Sequence, residues 1–434
     1  MNLPLARHRS LEDVIVWREG KAILVAEFLS AARQLAARLP DQAYVFNLCL
    51  DRYHFLLGFA AALMKRQVSL LPPARSEHLL RDIRAHHRPA YCLIDHDCAT
   101  AGLPAVQVRH EPGSGAEDIP FFPADQRAVI AFTSGSTGVP NPHEKTWATL
   151  LRIAAATAER FGFLPGQNIV GTVPPQHMYG LETTIMLPLQ SGGALHSGHP
   201  LTPADIAAAL SRLPAPRWLA ATPLHLKACV SETAALPKLA GIICATMPLA
   251  PELAKEVEQL APLHEIYGCT EAGTVATRRP AATQVFEACA ELVFERRGED
   301  VWLSGASLPQ AVRLPDRVRL VSSTEFVFLA RATDMVKIAG KRASLSALNS
   351  ELMRIPEVRD GVFYFPEGAT RLMAFAVAPE MTAQELLAQL RNRIDPAFLP
   401  RPLVLLDQLP RNSTGKLPRE DLARLAVAAS IDAS

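Results

Sequence analysis

Apolar residues follow two alternating rhythms along this chain: short continuous runs, and longer stretches that repeat every three or four positions. Continuous runs of strand length stand at 44–50, 67–73, 91–95 and 128–132. Between them, 52–64 carries apolar residues at helical spacing. Ser76 then stands where it would cap a further helix, with Leu79, Leu80 and Ile83 on one face. The rhythm resumes with an alanine-rich helix over 146–161 and compact apolar runs at 168–173, 218–221, 239–245 and 263–267. Strands alternating with helices predict parallel sheets covered by helices, because parallel neighbours need a crossover that lands on one face.

Two stretches depart from this rhythm. Short strands with basic alternation fill 291–328, as in Val318-Arg319-Leu320-Val321, and predict an antiparallel or barrel-like section. Past a charge-rich stretch at 331–337, the pattern reads as a helix over 344–355, strands at 361–365 and 371–377, a helix over 382–394 and a strand at 403–406. That is a unit of roughly 100 residues, within the usual domain range. The expected fold class is therefore α/β. A large N-terminal domain of parallel α/β sheets with a barrel-like section spans 1–330, a hinge 331–337, and a small mobile α+β C-terminal domain 338–434.

Composition narrows the class. At 434 residues the chain exceeds one small core, and 49% hydrophobic with 20% charged residues fits a soluble globular enzyme better than a disordered or fibrous chain. A net charge of +1 gives nucleic acid no electrostatic reason to bind. No run of about 18 apolar residues predicts a membrane span. The first residues lack the apolar core of a secretory signal, so a cytoplasmic location is expected. Seven scattered cysteines without a CxxC pair support neither a zinc site nor a disulfide framework.

Candidate chemistry gathers in four segments. The first is Thr133-Ser134-Gly135-Ser136-Thr137-Gly138, directly after the 128–132 run. Its small residues let the main chain wrap an anion, and its hydroxyls add donors to the backbone amides. Taken alone, such a cluster also describes an ordinary turn. The others are Tyr267-Gly268-Cys269-Thr270-Glu271, the stretch from Arg331 to Gly340 with Asp316 ahead of it, and Pro410-Arg411-Asn412-Ser413-Thr414-Gly415-Lys416. A P-loop kinase or ATPase fits these segments less well, since its loop closes on Gly-Lys-Ser/Thr. Here Gly138 precedes Val139, and Lys416 precedes Leu417.

The order and character of these segments resemble the adenylate-forming superfamily, which comprises acyl-CoA synthetases, luciferases and peptide-synthetase adenylation domains. The resemblance covers nearly the whole chain. It implies ATP and Mg²⁺, attack of a carboxylate on the α-phosphate, and capture of the acyl-adenylate by a thiol. It further implies that Thr133, Ser134, Gly135, Ser136, Thr137 and Gly138 cradle the departing pyrophosphate. Glu271 would ligate Mg²⁺, Thr270 would donate to an α-phosphate oxygen, and Tyr267 would pack on adenine beside Ala245, Thr246 and Gly268. Asp316 would accept from the ribose hydroxyls, and Arg331 would hold ribose or phosphate. Lys416 would bridge the α-phosphate and the reacting carboxylate, then leave with its domain.

His177, in Pro174-Pro175-Gln176-His177-Met178-Tyr179-Gly180, matches the residue that closes the acid pocket in such enzymes. The neighbouring pocket positions would be Ala245, Ile266, Gly268 and Gly273. These are small or apolar, which favours a compact hydrophobic acid over a charged amino acid. A lone lysine is usually solvated and a lone histidine usually packs, so the weight of Lys416 and His177 comes from their segments.

Departures from the family pattern are equally specific. Asn141-Pro142 stands where Lys-Gly is usual, and Lys145 would restore the missing charge. Ala245-Thr246-Met247 replaces Gly-Gly-Ala, and Thr333 replaces an acidic residue, with Asp334 next. The stretch SGSTGVPNPHEKTW is similar to AMP-ligases of aryl polyene and xanthomonadin-type pigment synthesis. That implies an aromatic acid, hydroxybenzoate-like or cinnamate-like, loaded onto the phosphopantetheine of an acyl carrier protein. Arg391, Arg393, Arg401 and Arg411 would offer such a carrier a basic face. Two alternatives stay open: an aryl- or acyl-CoA synthetase using free coenzyme A, and a non-catalytic member that binds a nucleotide or acyl group.

Overall fold

The structure is a computed structural model. It describes residues 1–434 other than 73, 112–115, 117, 134–140, 233–234, 248, 290, 307, 309, 332–334, 339–340, 368, 413–414, 416 and 432–434, and omits the side chains of Thr133, Arg331, Met335, Arg342, Ser430 and Ile431. Two compact units form: Met1–Val293 with Ser304–Val312, and Phe294–Leu303 with Arg313–Ser434.

Two sheets build the first unit. The smaller runs in the order Asn141–Thr146, Arg127–Thr133, Val68–Leu71, Tyr44–Asn47, Ala90–Ile94, Ala105–Gln107. All its pairs are parallel except the Arg127–Thr133/Asn141–Thr146 hairpin. In the larger sheet, Leu263–Cys269, Gly241–Cys244, Arg217–Ala221, Asn168–Gly171, Ala194–His196 and Val14–Arg18 are parallel neighbours. Gly273–Arg278 and Val285–Ala288 extend it antiparallel beyond Leu263–Cys269.

Period-two alternation decides what each strand faces. Val45, Val129, Trp218 and Ile243 join one apolar core with the helices Val25–Arg38, Arg52–Met64 and Trp147–Phe161, which therefore lie between the sheets. Their chain neighbours Phe46 and Ile130 face a second core, and Leu219 and Ile242 a third, on the outer faces. The Arg52–Met64 helix is apolar on nearly every side because almost all of it is buried, and Asp51 caps it by accepting from His54 N. Arg52 is buried with it. Its guanidinium donates to Thr184 Oγ1 (2.9 Å) and to the carbonyls of Gly171 (3.1 Å), Val173 (2.7 Å), His196 (3.4 Å) and Gly198 (2.6 Å).

In the second unit, Asp316–Leu320 and Glu325–Arg331 pair antiparallel. Val293–Arg297, Asp300–Ser304 and Val312–Arg313 form a separate three-stranded sheet. The barrel-like section read over 291–328 is thus a set of short ladders, and no closed barrel forms among the described residues. Closure needs strands long enough to share one tilt and stagger, and these are two to seven residues long. Past it, Asp360–Tyr364, Met373–Val377 and Leu403–Leu405 make a three-stranded sheet. The helices Leu345–Met353 and Ala383–Arg391 pack in one core, and Arg419–Ile431 in another. Ser344 and Thr382 cap the first two by accepting from Ala347 N and Glu385 N.

Candidate active site

The site begins at a tight hairpin. Leu263–Cys269 and Gly273–Arg278 pair with Cys269 opposite Gly273, so Thr270, Glu271 and Ala272 form the connecting loop. The register shifts between Tyr267 and Gly268, a bulge of the kind that re-aims side chains at sheet ends. Buried Glu265 pins the base of the hairpin by accepting from its cross-strand neighbour Arg278 at 2.7 Å. At the top, Gly273 adopts φ +79°, where a side chain would be strained. Gly268 is exposed, and a Cβ there would stand 2.5 Å from the Gly273 carbonyl oxygen. Its smallness is set by the hairpin's own backbone.

A second hairpin carries the phosphate-loop candidate. Thr133 pairs with Asn141, so the connection between its strands is 134–140. Ser134, Gly135, Ser136, Thr137 and Gly138 fall outside the described residues, and of Thr133 only the backbone is described. Asn141 is exposed. Lys145 is buried, and its ammonium donates to the Glu271 carbonyl at 2.5 Å. It thus faces the Thr270–Glu271 loop. Burial pulls its pKa down, while Glu182, Cys269 and Glu271 oppose that shift. His143, on the same strand, places Nε2 3.8 Å from Glu271 Oε1. Burial lowers its pKa, Glu271 opposes this, and Lys145 reinforces it. The Glu271 side chain is 37% exposed. Among the described residues no three His, Cys, Asp or Glu side chains gather as a metal cage. One accessible carboxylate nevertheless fits Mg²⁺, which keeps several waters and takes its other ligands from phosphates.

His177 stands half-buried at the N-cap of a helix, with its carbonyl accepting from Leu181 N at 2.7 Å. The turn before it is fixed by Gln176, whose amide donates to the carbonyls of Asn47 (3.2 Å) and Cys49 (2.6 Å). After Met178–Leu181 the helix widens into a π-helical turn over Glu182–Met186, then resumes over Leu187–Ser191. Glu182 opens that turn and is buried. Its Oε2 accepts from Thr274 N (3.1 Å) and Thr274 Oγ1 (2.6 Å), which joins the His177 helix to the Thr270–Glu271 hairpin. Burial raises its pKa to about 7, against the opposing pull of Thr274 and Lys145. Sequence reasoning missed this residue. The available signal was one acid inside an otherwise uncharged stretch, five positions after His177.

Other expected site residues are distributed as follows. Ala245, Ile266 and Tyr267 are buried, and the Tyr267 ring lies 5.9 Å from that of Phe286. Thr246 adopts φ +85° with its hydroxyl enclosed and without a partner among the described residues. Burial raises the Cys269 thiol to about 12, which removes it as a nucleophile. In the second unit, Asp316 and Arg331 are direct cross-strand partners, so these two ribose candidates share one edge. Lys416 lies outside the described residues. Arg411, just upstream, donates through Nε (2.7 Å) and Nη2 (2.6 Å) to Asp360 and through Nη1 (2.5 Å) to the Gly415 carbonyl. It is engaged in its own unit, which takes it out of the expected basic face. Arg391, Arg393 and Arg401 are exposed.

A family model described as AMP-binding enzyme matches residues 16–292. The chain is 33% identical over 268 residues to a 4-coumarate–CoA ligase of Rhodobacter capsulatus, covering 61% of this chain and 66% of that protein. It is 28% identical over 511 aligned positions to the phosphinothricin tripeptide synthetase PhsC of Streptomyces viridochromogenes, covering 97% and 46%. The match thus spans about two thirds of the first relative and under half of the second. Among solved structures, o-succinylbenzoate CoA synthetase (MenE) of Bacillus subtilis with its acyl-adenylate intermediate shares the fold. The TM-score is 0.80 at 17% identity, over 97% of this chain and 98% of that one. The same enzyme solved with ATP and magnesium ion gives 0.80 at 18%, over 95% and 97%.

Proposed function

The chain belongs to the AMP-binding enzyme family, and we propose that it joins an aromatic acid to the thiol of a carrier-protein phosphopantetheine. It is an AMP-forming ligase. The acid's carboxylate displaces pyrophosphate from the α-phosphate of ATP, and the thiol then displaces AMP to leave a thioester. Both first-step reactants are anionic, so the site must supply positive charge and hold oxygen in line with phosphorus.

One observation carries the reading. The loop bearing Thr270 and Glu271 is tied to the strand after the phosphate-loop candidate by Lys145, and to the His177 helix by Glu182. Phosphate-facing and acid-facing candidates are thereby held as one assembly within the first unit. In it, Thr270 donates to the α-phosphate, and the buried ammonium of Lys145 holds the loop while adding positive potential. His177 closes the acid pocket, with Ala245, Ile266 and Gly273 around the ring. Glu271 would hold Mg²⁺, which neutralises phosphate charge when bound. Asp316 and Arg331 engage the ribose, 331–337 serves as the hinge between 1–330 and 338–434, and Lys416 joins the two reacting anions.

The acid class is supported by the small, apolar pocket positions and by the 4-coumarate ligase relative. The carrier acceptor is supported by the peptide-synthetase relative, whose match covers 97% of this chain. It accords with the finer resemblance to pigment-pathway AMP-ligases. ATP–pyrophosphate exchange across benzoates, cinnamates, fatty acids and amino acids tests the first half. Exchange restricted to fatty or amino acids overturns the aromatic assignment, and none with any acid points to a non-catalytic binder. Offering holo-carrier protein and free coenzyme A to the loaded enzyme tests the acceptor. Transfer to coenzyme A alone makes the chain an aryl-CoA synthetase.

A further inference from the structure

We propose that Arg411, locked onto Asp360, is a positioning residue for Lys416, fixing the backbone from which that lysine reaches the two reacting anions. The proposal rests on the role given to Lys416 above and names what holds the lysine in register.

Arg411 makes two kinds of bond at once. Its Nε and Nη2 donate to Asp360 Oδ2 (2.7 Å) and Oδ1 (2.6 Å), a parallel fork that permits one orientation of the guanidinium. Its other terminal nitrogen, Nη1, donates to the Gly415 carbonyl at 2.5 Å. Asp360 is anchored in turn. It opens the Asp360–Tyr364 strand opposite Val377, and its Oδ1 accepts from Gly361 N at 2.7 Å. The two side chains are 15% (Arg411) and 17% (Asp360) exposed, so water competes less for this pair than for an ion pair on the open surface.

The turn that receives the third bond is held from several sides. Gly415 is buried, adopts φ +75°, a conformation that suits glycine, and donates its N–H to the Asn412 carbonyl at 2.9 Å. Leu409 is buried in the core that contains Val362, Met373 and Phe375, and Leu417 packs against the same core. The segment is thus tied down on both sides, and Arg411 ties its middle. A peptide bond is planar, so the direction of the Gly415 carbonyl also sets the direction of the bond into the next residue. That residue is Lys416, outside the described residues. A lysine stem is long and flexible, so its ammonium aligns two anions only when its backbone is fixed. A misplacement of about 1 Å can cost about 10²-fold in rate. A lysine in place of Arg411 would keep the charge beside Asp360, yet it could not hold the fork and the carbonyl together.

The test compares the two half-reactions in Arg411→Lys, Arg411→Met and Asp360→Asn, with thermal melts to select the folded variants. Each should lower the kcat of pyrophosphate exchange by at least ~10-fold, with the KM for ATP within about threefold of the wild-type value. Thioester formation from pre-made acyl-adenylate should change by less than about threefold. In a Lys416→Ala background the same substitutions should lower exchange by less than about twofold further, because residues that act through one group are not additive. A purely structural ion pair would instead cost the same with and without Lys416, and that result overturns the proposal. So do equal losses in the two half-reactions, and so does full exchange in a folded Arg411→Met. Undiminished exchange in Lys416→Ala alone removes the reading on which the proposal stands.

Discussion

Thr246 holds a backbone conformation that β-branched residues avoid, at φ +85°. Its buried hydroxyl has no partner among the described residues, so no hydrogen bond of the side chain offsets the strain. Thr246→Gly should therefore raise stability by about 1 kcal/mol, read as a shift in the denaturant midpoint. A lower midpoint would mean that Thr246 makes contacts only its side chain can supply. The sequence announced this position, since Ala245-Thr246-Met247 replaces a Gly-Gly-Ala pattern, but it could not announce the strain. Dihedral angles follow from where the chain must pass, and neither composition nor spacing encodes that. Glu182 was hidden for a related reason. A lone acid in an apolar stretch is an anomaly in sequence, and its purpose emerges only when Thr274, distant in sequence, meets it.

At the scale of elements, the strand and helix rhythm was readable because buried parallel sheets impose it on every apolar run. The predicted 52–64 helix forms as Arg52–Met64, and the runs at 44–50, 91–95 and 263–267 all became strands. What the rhythm did not show is how two sheets are held against one helical layer. Arg52 does this, gathering the carbonyls of Gly171, Val173, His196 and Gly198, at and just past the C-terminal ends of two interior strands of the larger sheet, onto the first turn of the central helix. Burial lowers its pKa to about 10, which leaves the guanidinium charged at neutral pH. Arg52→Met keeps most of the volume yet orphans those carbonyls, and should cost at least about 3 kcal/mol in chemical denaturation. A cost below about 1 kcal/mol would show that water or relaxation replaces the clamp.

The whole molecule divides its candidate chemistry between two units: Thr270, Glu271, Lys145 and His177 in one, Asp316 and Arg331 in the other. Lys416 belongs to the second by sequence. If it serves the first half-reaction alone, Lys416→Ala should lower pyrophosphate exchange by at least ~10²-fold. Thioester formation from pre-made acyl-adenylate should fall far less, and equal losses in the two assays would dispose of a lysine that leaves between steps. The order of the four motifs made the family legible at this scale. The contact boundary was less so, because 313–331 carries strand patterning like the sheets before it yet clusters with the C-terminal unit.

Lys145 turns two hairpins into a single mechanical body. Its ammonium is a strut between the strand that leaves residues 134–140 and the carbonyl of Glu271. Load applied to the Asn141–Thr146 strand beside Val129 therefore reaches the Glu271 loop through one side chain. A strand and a loop joined this way keep a constant span, as the jaws of a fixed-gap gauge do. Such a gauge would measure a ligand by its length as much as by its charge.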